Sequence, residues 1–178
     1  MKTMCARSLA VTIALAFCAP AAMAQAVHVS ADKGVVTLSV ASQKPYALMV
    51  SGHPKTPLLS VTCQQKGKKV SHAITFSPGG ILKEQHYSTY GGSASLVLEV
   101  TVAGQKHSTN WVSYGNLETF AYLGKTEPER VNFMQALLSA PTMSIQFTPF
   151  LTGEPVISTF DLTGLRTEFD KHPECSVK

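Results

Sequence analysis

Short runs of alternating apolar and polar residues, each followed by a turn signal, fill most of the chain from residue 34 onward. The clearest run lies at 94–102 (ASLVLEVTV), and the runs at 34–41 and 58–63 have the same period of two. This alternation places one face of a strand on a core and the other in solvent. Turn signals every 8 to 12 residues or so are typical of β-sandwiches and barrels. The sequence therefore predicts a mainly β, antiparallel, sandwich-like domain.

The remaining predicted strands are shorter or less regular. They cover residues 46–50, 70–76, 81–87, 107–114, 117–123, 143–150 and 156–160. A polar loop containing Gly67 joins the runs at 58–63 and 70–76, which predicts a hairpin. In the late strands, Phe147, Phe150 and Phe160 are expected in the core, where aromatic residues at alternate strand positions normally lie.

The period changes to that of a helix around residues 127–139. Thr126 and Glu129 have the spacing of a capping box, and Pro141 ends the segment. One apolar stripe is predicted for this helix, formed by Val131, Met134, Leu137 and Leu138. A second, short helix is predicted at 164–171, with Thr163 as its N-cap.

The first 24 residues have the three parts of a secretory signal. Lys2 and Arg7 precede an uncharged apolar stretch at 9–19, and Ala22-Met23-Ala24 supplies small residues at a cleavage site. The apolar stretch is much shorter than the roughly 20 residues that span a bilayer as a helix. Lipidation at Cys18 is disfavoured because bulky Phe17 precedes it. We therefore predict Sec export, cleavage after Ala24 and a single periplasmic domain over residues 25–178, without a membrane span.

Two cysteines, Cys63 and Cys175, remain after cleavage. In an oxidising compartment an even number of cysteines favours one disulfide, and two unpaired buried thiols are the alternative. Cleavage also removes Lys2 and Arg7, so that the net charge falls from +4 to +2. The one basic cluster, at residues 66–69 (KGKK), is typical of a solvated hairpin turn, and nucleic-acid binding is not predicted.

No catalytic, metal or cofactor motif is present in the sequence. A G-x-S-x-G pentapeptide is missing, and Gly91-Gly92-Ser93 is better explained as a loop before a strand. The six histidines lack the close spacing that zinc sites usually show, although His72 and His107 lie in predicted strands that could meet across a sheet. We therefore predict a protein that is not an enzyme and has no cofactor.

The residues toward the carboxyl end form a pattern that resembles that of a known protein family. Residues 156–175 read VISTFDLTGLRTEFDKHPEC, and they follow a strand cysteine and a tryptophan two positions before a serine. This layout resembles the VasI-type family of small periplasmic proteins associated with type VI secretion, and a similar layout occurs in periplasmic proteins of the invasion-associated locus B type. The matching positions are Cys63, Trp111, Ser113, Phe160, Gly164, Leu165 and Cys175. The resemblance also leads us to expect a strand motif of an arginine and an acidic residue before the tryptophan. That motif is missing here, where the acidic residue Glu99 is accompanied by Lys106.

The resemblance implies an accessory role in a secretion or envelope machine, with another envelope protein as the partner. The alternative is a periplasmic inhibitor or immunity-type binder of an envelope-degrading enzyme, for which the loops at 67–69 and 104–106 are the first candidates. A hydrolase with an unrecognised site is a third hypothesis. Trp111 is interpreted as a core residue or as an anchor for a partner. The candidate interaction residues are Trp111, Tyr114, Lys68 and Lys69.

Overall fold

The computed structural model describes residues 26–47, 54–87, 93–114 and 118–176, so the predicted signal peptide lies outside the described residues. The strands are β1 (His28–Asp32), β2 (Val35–Ala41), β3 (Tyr46–Ala47), β4 (Pro54–Lys55), β5 (Leu58–Lys66), β6 (Lys69–Ser77), β7 (His86–Tyr87), β8 (Ser93–Val102), β9 (Gln105–Tyr114), β10 (Phe120–Tyr122), β11 (Thr142–Phe147) and β12 (Val156–Asp161). The helices are α1 (Glu127–Ser139) and α2 (Leu165–Asp170), and a 3₁₀ turn follows at Pro173–Cys175. The predicted mainly β fold with one mid-chain and one C-terminal helix is confirmed.

Nine of the described strands form one antiparallel path in the order β1-β2-β5-β6-β10-β9-β8-β11-β12. Strand β7 pairs with the start of β8, and β3 and β4 form a separate small hairpin. Most neighbours in the path are also neighbours in sequence, which is the pattern that short turns between strands produce.

The sheet curls around one core until its last strand, β12, meets the segment that follows β2. Phe76 of β6 contacts Phe147 of β11 and Phe160 of β12, with ring centroids 5.4 and 6.3 Å apart. The segment after β2 reaches β12, because Ser42 forms a bridge with Phe160 and the Gln43 N–H donates to the Thr159 carbonyl at 2.8 Å. Phe76, Phe147 and Phe160 are fully buried, and they fill the space that the curled sheet encloses.

Two hairpin turns depend on a left-handed backbone. In the β1–β2 turn Lys33 and Gly34 have φ of 46° and 78°, and in the β8–β9 turn Ala103 and Gly104 have φ of 49° and 79°. Positive φ at both central residues is the mark of a type I′ turn, whose twist matches that of the flanking strands. Glycine at the second position lowers the cost of this conformation.

Helix α1 has the predicted bounds but a modified cap. The Thr126 Oγ1 accepts the Glu129 N–H at 3.3 Å, as expected of the N-cap. The Glu129 carboxylate, however, accepts the N–H of Lys125 at 2.7 Å, one residue before the cap. The buried face consists of Phe133, Met134, Leu137 and Leu138. Phe133 thus takes the place predicted for Val131, which is only half-buried.

Helix α2 begins one residue later than predicted. Its N-cap is Gly164, with φ of 88° and no side-chain cap. The Thr163 N–H instead donates to the Asp161 Oδ1 at 2.9 Å, in the turn that leaves β12. The prediction of Thr163 as N-cap is therefore wrong, whereas Leu165 and Phe169 are buried as expected.

The carboxyl-terminal segment is fastened to the β5–β6 hairpin. Cys175 of the 3₁₀ turn forms a disulfide with Cys63 of β5, across 112 residues of sequence and a Cα–Cα distance of 5.5 Å. Opposite Cys63 on β6, the His72 Nε2–H donates to the Cys175 carbonyl oxygen at 2.8 Å. For a loop of this length the chain-entropy model gives a stabilisation of about 4–5 kcal/mol.

Candidate functional site

Three large apolar side chains stand in solvent where the β11–β12 connection meets the segment after β6. Phe150 is 63% exposed, Leu151 is 52% exposed and Ile81 is 45% exposed. We call these three residues the apolar tip. An exposed apolar group of this kind marks an interaction surface more often than an isolated apolar side chain does.

The backbone of the apolar tip is held by hydrogen bonds. The Phe150 N–H donates to the Ile81 carbonyl at 2.9 Å, and the Lys83 N–H donates to the Thr148 carbonyl at 2.8 Å. The Gly153 N–H closes the turn by donating to the Pro149 carbonyl at 2.9 Å. The apolar side chains therefore project from a defined scaffold.

The prediction that Phe150 belongs to the core is wrong. Strand β11 ends at Phe147, which is buried, and the chain then turns through Pro149 before it returns as β12. Met143, Ile145, Phe147 and Pro149 are buried, and Phe150, three residues after Phe147, falls on the opposite, exposed face of this alternation. Exposed Lys83 and Glu154 lie on the two segments that meet here, so this region carries charges of both signs.

Three hairpin turns lie at the other end of the sheet. Thr75 of β6 and Val112 of β9 both pair with Ala121, so they lie at the same level of the sheet. Gly67 lies eight residues before Thr75 and Gly104 eight residues before Val112, which places both turns at the same end. The β1–β2 turn joins them, since the Gln65 N–H donates to the Gly34 carbonyl at 2.9 Å. Strand β11 starts beside this end, where Met143 pairs with Val102, and runs away from it toward the apolar tip.

The three turns, residues 32–34, 66–69 and 103–106, contain five lysines and one aspartate. We call them the basic end. The lysines are Lys33, Lys66, Lys68, Lys69 and Lys106, and all of them are exposed. A Cβ atom added to Gly67 or Gly104 would meet no atom within 4 Å, so both turns stand clear of the rest of the protein. The prediction of a solvated basic hairpin turn at 66–69 is confirmed.

Helix α1 lies between the β5–β6 and β8–β9 hairpins, with a cleft on each side. The cleft toward β6 has a volume of about 180 Å³ and is lined by His72, Arg130 and the apolar Ile74 and Met134, among others. The cleft toward β9 has a volume of about 470 Å³ and includes His107 in its lining. His72 and His107 therefore line different clefts and do not form a pair.

Tyr122 and Glu129 connect the sheet to α1 beneath these clefts. The Tyr122 hydroxyl donates to the Glu129 Oε1 at 3.3 Å, and its ring lies 4.4 Å from that of Phe133. Burial, together with the neighbouring Glu129 carboxylate, raises the pKa of Tyr122 to about 12. The phenol therefore stays protonated and keeps donating to Glu129 throughout the physiological pH range.

The four predicted interaction residues differ in burial and position. Trp111 is fully buried, its Nε1–H donates to the Thr109 Oγ1 at 2.8 Å, and its ring contacts Phe76 and Tyr122. It belongs to the core, so the partner-anchor interpretation is wrong for this residue. Lys68 and Lys69 are exposed at the basic end. Tyr114 ends β9, and its side chain lies outside the described residues.

The apolar tip is the feature that sequence reasoning missed. A signal for it exists in residues 149–155 (PFLTGEP), where Phe150 and Leu151 follow a proline and precede a Thr-Gly-Glu-Pro turn. Turn residues on both sides of Phe150 and Leu151 indicate a surface connection in place of the end of a strand.

In the described parts of the chain, no three side chains of histidine, cysteine, aspartate or glutamate come together as a metal ion would require. Neither α1 nor α2 is long and apolar enough to cross a membrane. Comparison with protein-family models, with curated proteins and with solved structures found no match for this chain.

Proposed function

We propose that the protein is exported, loses residues 1–24 and acts in the periplasm as a non-enzymatic accessory protein that binds another envelope protein through the apolar tip. The disulfide between Cys63 and Cys175 is compatible with an oxidising compartment and supports the export proposal. The accessory role in a secretion or envelope machine is what the resemblance to the VasI-type proteins implies.

The observation that carries this proposal is the exposure of Phe150 and Leu151 on a hydrogen-bonded turn. Aromatic side chains such as that of Phe150 are enriched at the buried centre of protein interfaces, where they enter a partner's pocket. A scaffold that already fixes their backbone loses little conformational entropy on binding. A partner with an apolar pocket is therefore the occupant that fits the apolar tip.

The test is photo-crosslinking in the periplasm of the producing cell, with a benzophenone amino acid at position 150. The matched control carries the same amino acid at Val97, which is 52% exposed on β8. We expect one envelope protein to be crosslinked from position 150, not from position 97, and to be lost when Leu151→Ser is added. Equal products from both positions, or no product from position 150, would contradict the proposal.

A second candidate function, the inhibitor or immunity-type binder, is favoured by one specific observation. The loops at 67–69 and 104–106, which the sequence singles out, reach the same end of the sheet. Together they could face an acidic patch on an enzyme. Crosslinking of an envelope-degrading enzyme from position 68, with no product from position 150, would favour this function over the first.

A further inference from the structure

The positive charge of the predicted mature chain is concentrated at the basic end. Its three turns have a net charge of +4, from five lysines and one aspartate, whereas the whole chain after residue 24 has a net charge of +2. The remainder of the mature chain is therefore net negative. Such a dipolar distribution orients a protein toward an anionic surface.

The composition of the three turns favours a phosphate-bearing surface over a protein interface. All five cations are lysines, whose ammonium groups are compact point charges on flexible stems. The residues at the turn centres include Gly34, Gly67 and Gly104, and none of the three turns contains an aromatic or large aliphatic residue. Protein interfaces are depleted in lysine and depend on aromatic and arginine anchors. Attraction of lysines to anionic lipid headgroups needs no such anchor.

The three turns lie at the same end of the sheet, so their lysines can reach one extended surface. Gly67 and Gly104 stand clear of neighbouring atoms, and the turns come from three separate hairpins. Lysines spread over three turns can contact several headgroups at once. A single small anion would instead require converging donors from one pocket.

We propose that the basic end docks on the anionic phospholipid headgroups of a membrane surface. In this orientation β11 runs away from the membrane, and the apolar tip faces the partner protein on the far side. Membrane docking depends on the charges of the basic end and partner binding on the exposure of the apolar tip, so each can fail without the other.

The test is co-sedimentation of the mature chain, residues 25–178, with vesicles that contain phosphatidylglycerol or only phosphatidylcholine. We expect binding to the anionic vesicles alone. It should weaken as salt rises from about 0.05 M to about 0.5 M, because ions screen exposed charges. Each lysine near an anionic surface contributes about fivefold to the partition constant, so Lys68→Glu with Lys69→Glu should weaken binding by roughly thirtyfold or more.

The matched control is Lys55→Glu with Lys83→Glu, which changes the net charge equally at exposed positions away from the basic end. It should keep most of the vesicle binding. Lys33→Glu with Lys106→Glu provides a second test on the other two turns if the first variant folds poorly. Equal loss in the control, or equal binding to neutral vesicles, would overturn the proposal. No binding to anionic vesicles would also overturn it and would leave the basic end to an acidic protein partner.

Discussion

The apolar tip and the basic end lie at opposite ends of one sheet, and different contacts hold them. The apolar tip rests on backbone hydrogen bonds between residues 81–83 and 148–150 and on a turn closed at Gly153. The basic end is supported by connections between distant parts of the chain. These are the disulfide from β5 to the 3₁₀ turn, the hydrogen bond from His72 to the Cys175 carbonyl, and the contact of Tyr122 with α1.

The two surfaces can therefore be perturbed separately. Side chains at the apolar tip contribute little to the core, so they can change without loss of fold. The turns of the basic end are likewise solvated, but the structure beneath them depends on α1 and on the carboxyl-terminal segment. Changes that loosen those supports should affect the basic end and leave the apolar tip in place.

The largest effect is expected from loss of the disulfide. Cys63→Ser should lower the free energy of unfolding by about 4–5 kcal/mol, because a long loop is no longer closed in the unfolded chain. The variant should then accumulate poorly when it is produced in an oxidising compartment. In the fraction that folds, hydrogen exchange should accelerate at residues 63–72 and 165–175 before it does at 148–153. Normal yield and an unchanged melting temperature would contradict the stabilising role of the disulfide.

A core substitution should instead affect both ends. Trp111→Ala removes a fully buried ring and should cost about 3–5 kcal/mol in unfolding free energy, measured by urea denaturation. The matched change Phe150→Ala removes an exposed ring and should stay within about 0.5 kcal/mol of the parent. A large destabilisation by Phe150→Ala would mean that the apolar tip contributes to core packing. It would contradict the claim that side chains at this tip can change without loss of fold.

Trp111 and Phe150 also illustrate which parts of the fold can be predicted from the sequence. Alternation located most of the main strands, and the capping pattern with Pro141 located α1, because both signals are local. Strand β1 was not predicted, since its face is mostly exposed and shows little alternation. The run at 81–87 gave only a bridge at Leu82 and the two-residue β7, because the pairing partners there are short.

The candidate surfaces needed three-dimensional information for a different reason. Which turns share an end of the sheet depends on strand order and register, and pattern alone does not specify these. The lysines at 66–69 were therefore predictable as a solvated turn, whereas their proximity to Lys33 and the β8–β9 turn was not. The exposure of Phe150 had a local signal, because it lies three residues after Phe147 and therefore on the opposite face of the alternation. Its place beside Ile81, in contrast, depends on the fold.

A smaller effect is expected at the start of α1. Thr126→Ala removes the acceptor for the Glu129 N–H and should cost about 1 kcal/mol. Hydrogen exchange should accelerate in the first turn of α1, next to the two clefts, and stay unchanged at Phe150. Thr126→Ser, which keeps the hydroxyl, is the control and should behave as the parent. Equal acceleration at both ends would show that α1 supports the whole sheet.

Substitution of the two buried phenols should have the smallest effect at neutral pH and should distinguish the two regions of the molecule at high pH. Burial raises the pKa of Tyr46, whose hydroxyl donates to the Pro78 carbonyl at 2.7 Å after the far end of β6. Beneath the clefts beside α1, burial and Glu129 raise the pKa of Tyr122 to about 12.

Because the folded state favours the neutral phenol, the unfolded chain ionises first, near its ordinary pKa of 10.0. The contribution of Tyr122 to stability is therefore fully present below pH 10 and is lost as the pH rises toward about 12. Melting temperatures of the parent and of Tyr122→Phe should converge across this interval, since lysine titration and Tyr46 affect both proteins alike. Tyr46→Phe is the matched variant at the other end. A constant difference between parent and Tyr122→Phe from pH 9 to pH 12 would show that the phenol does not couple the sheet to α1 through its proton.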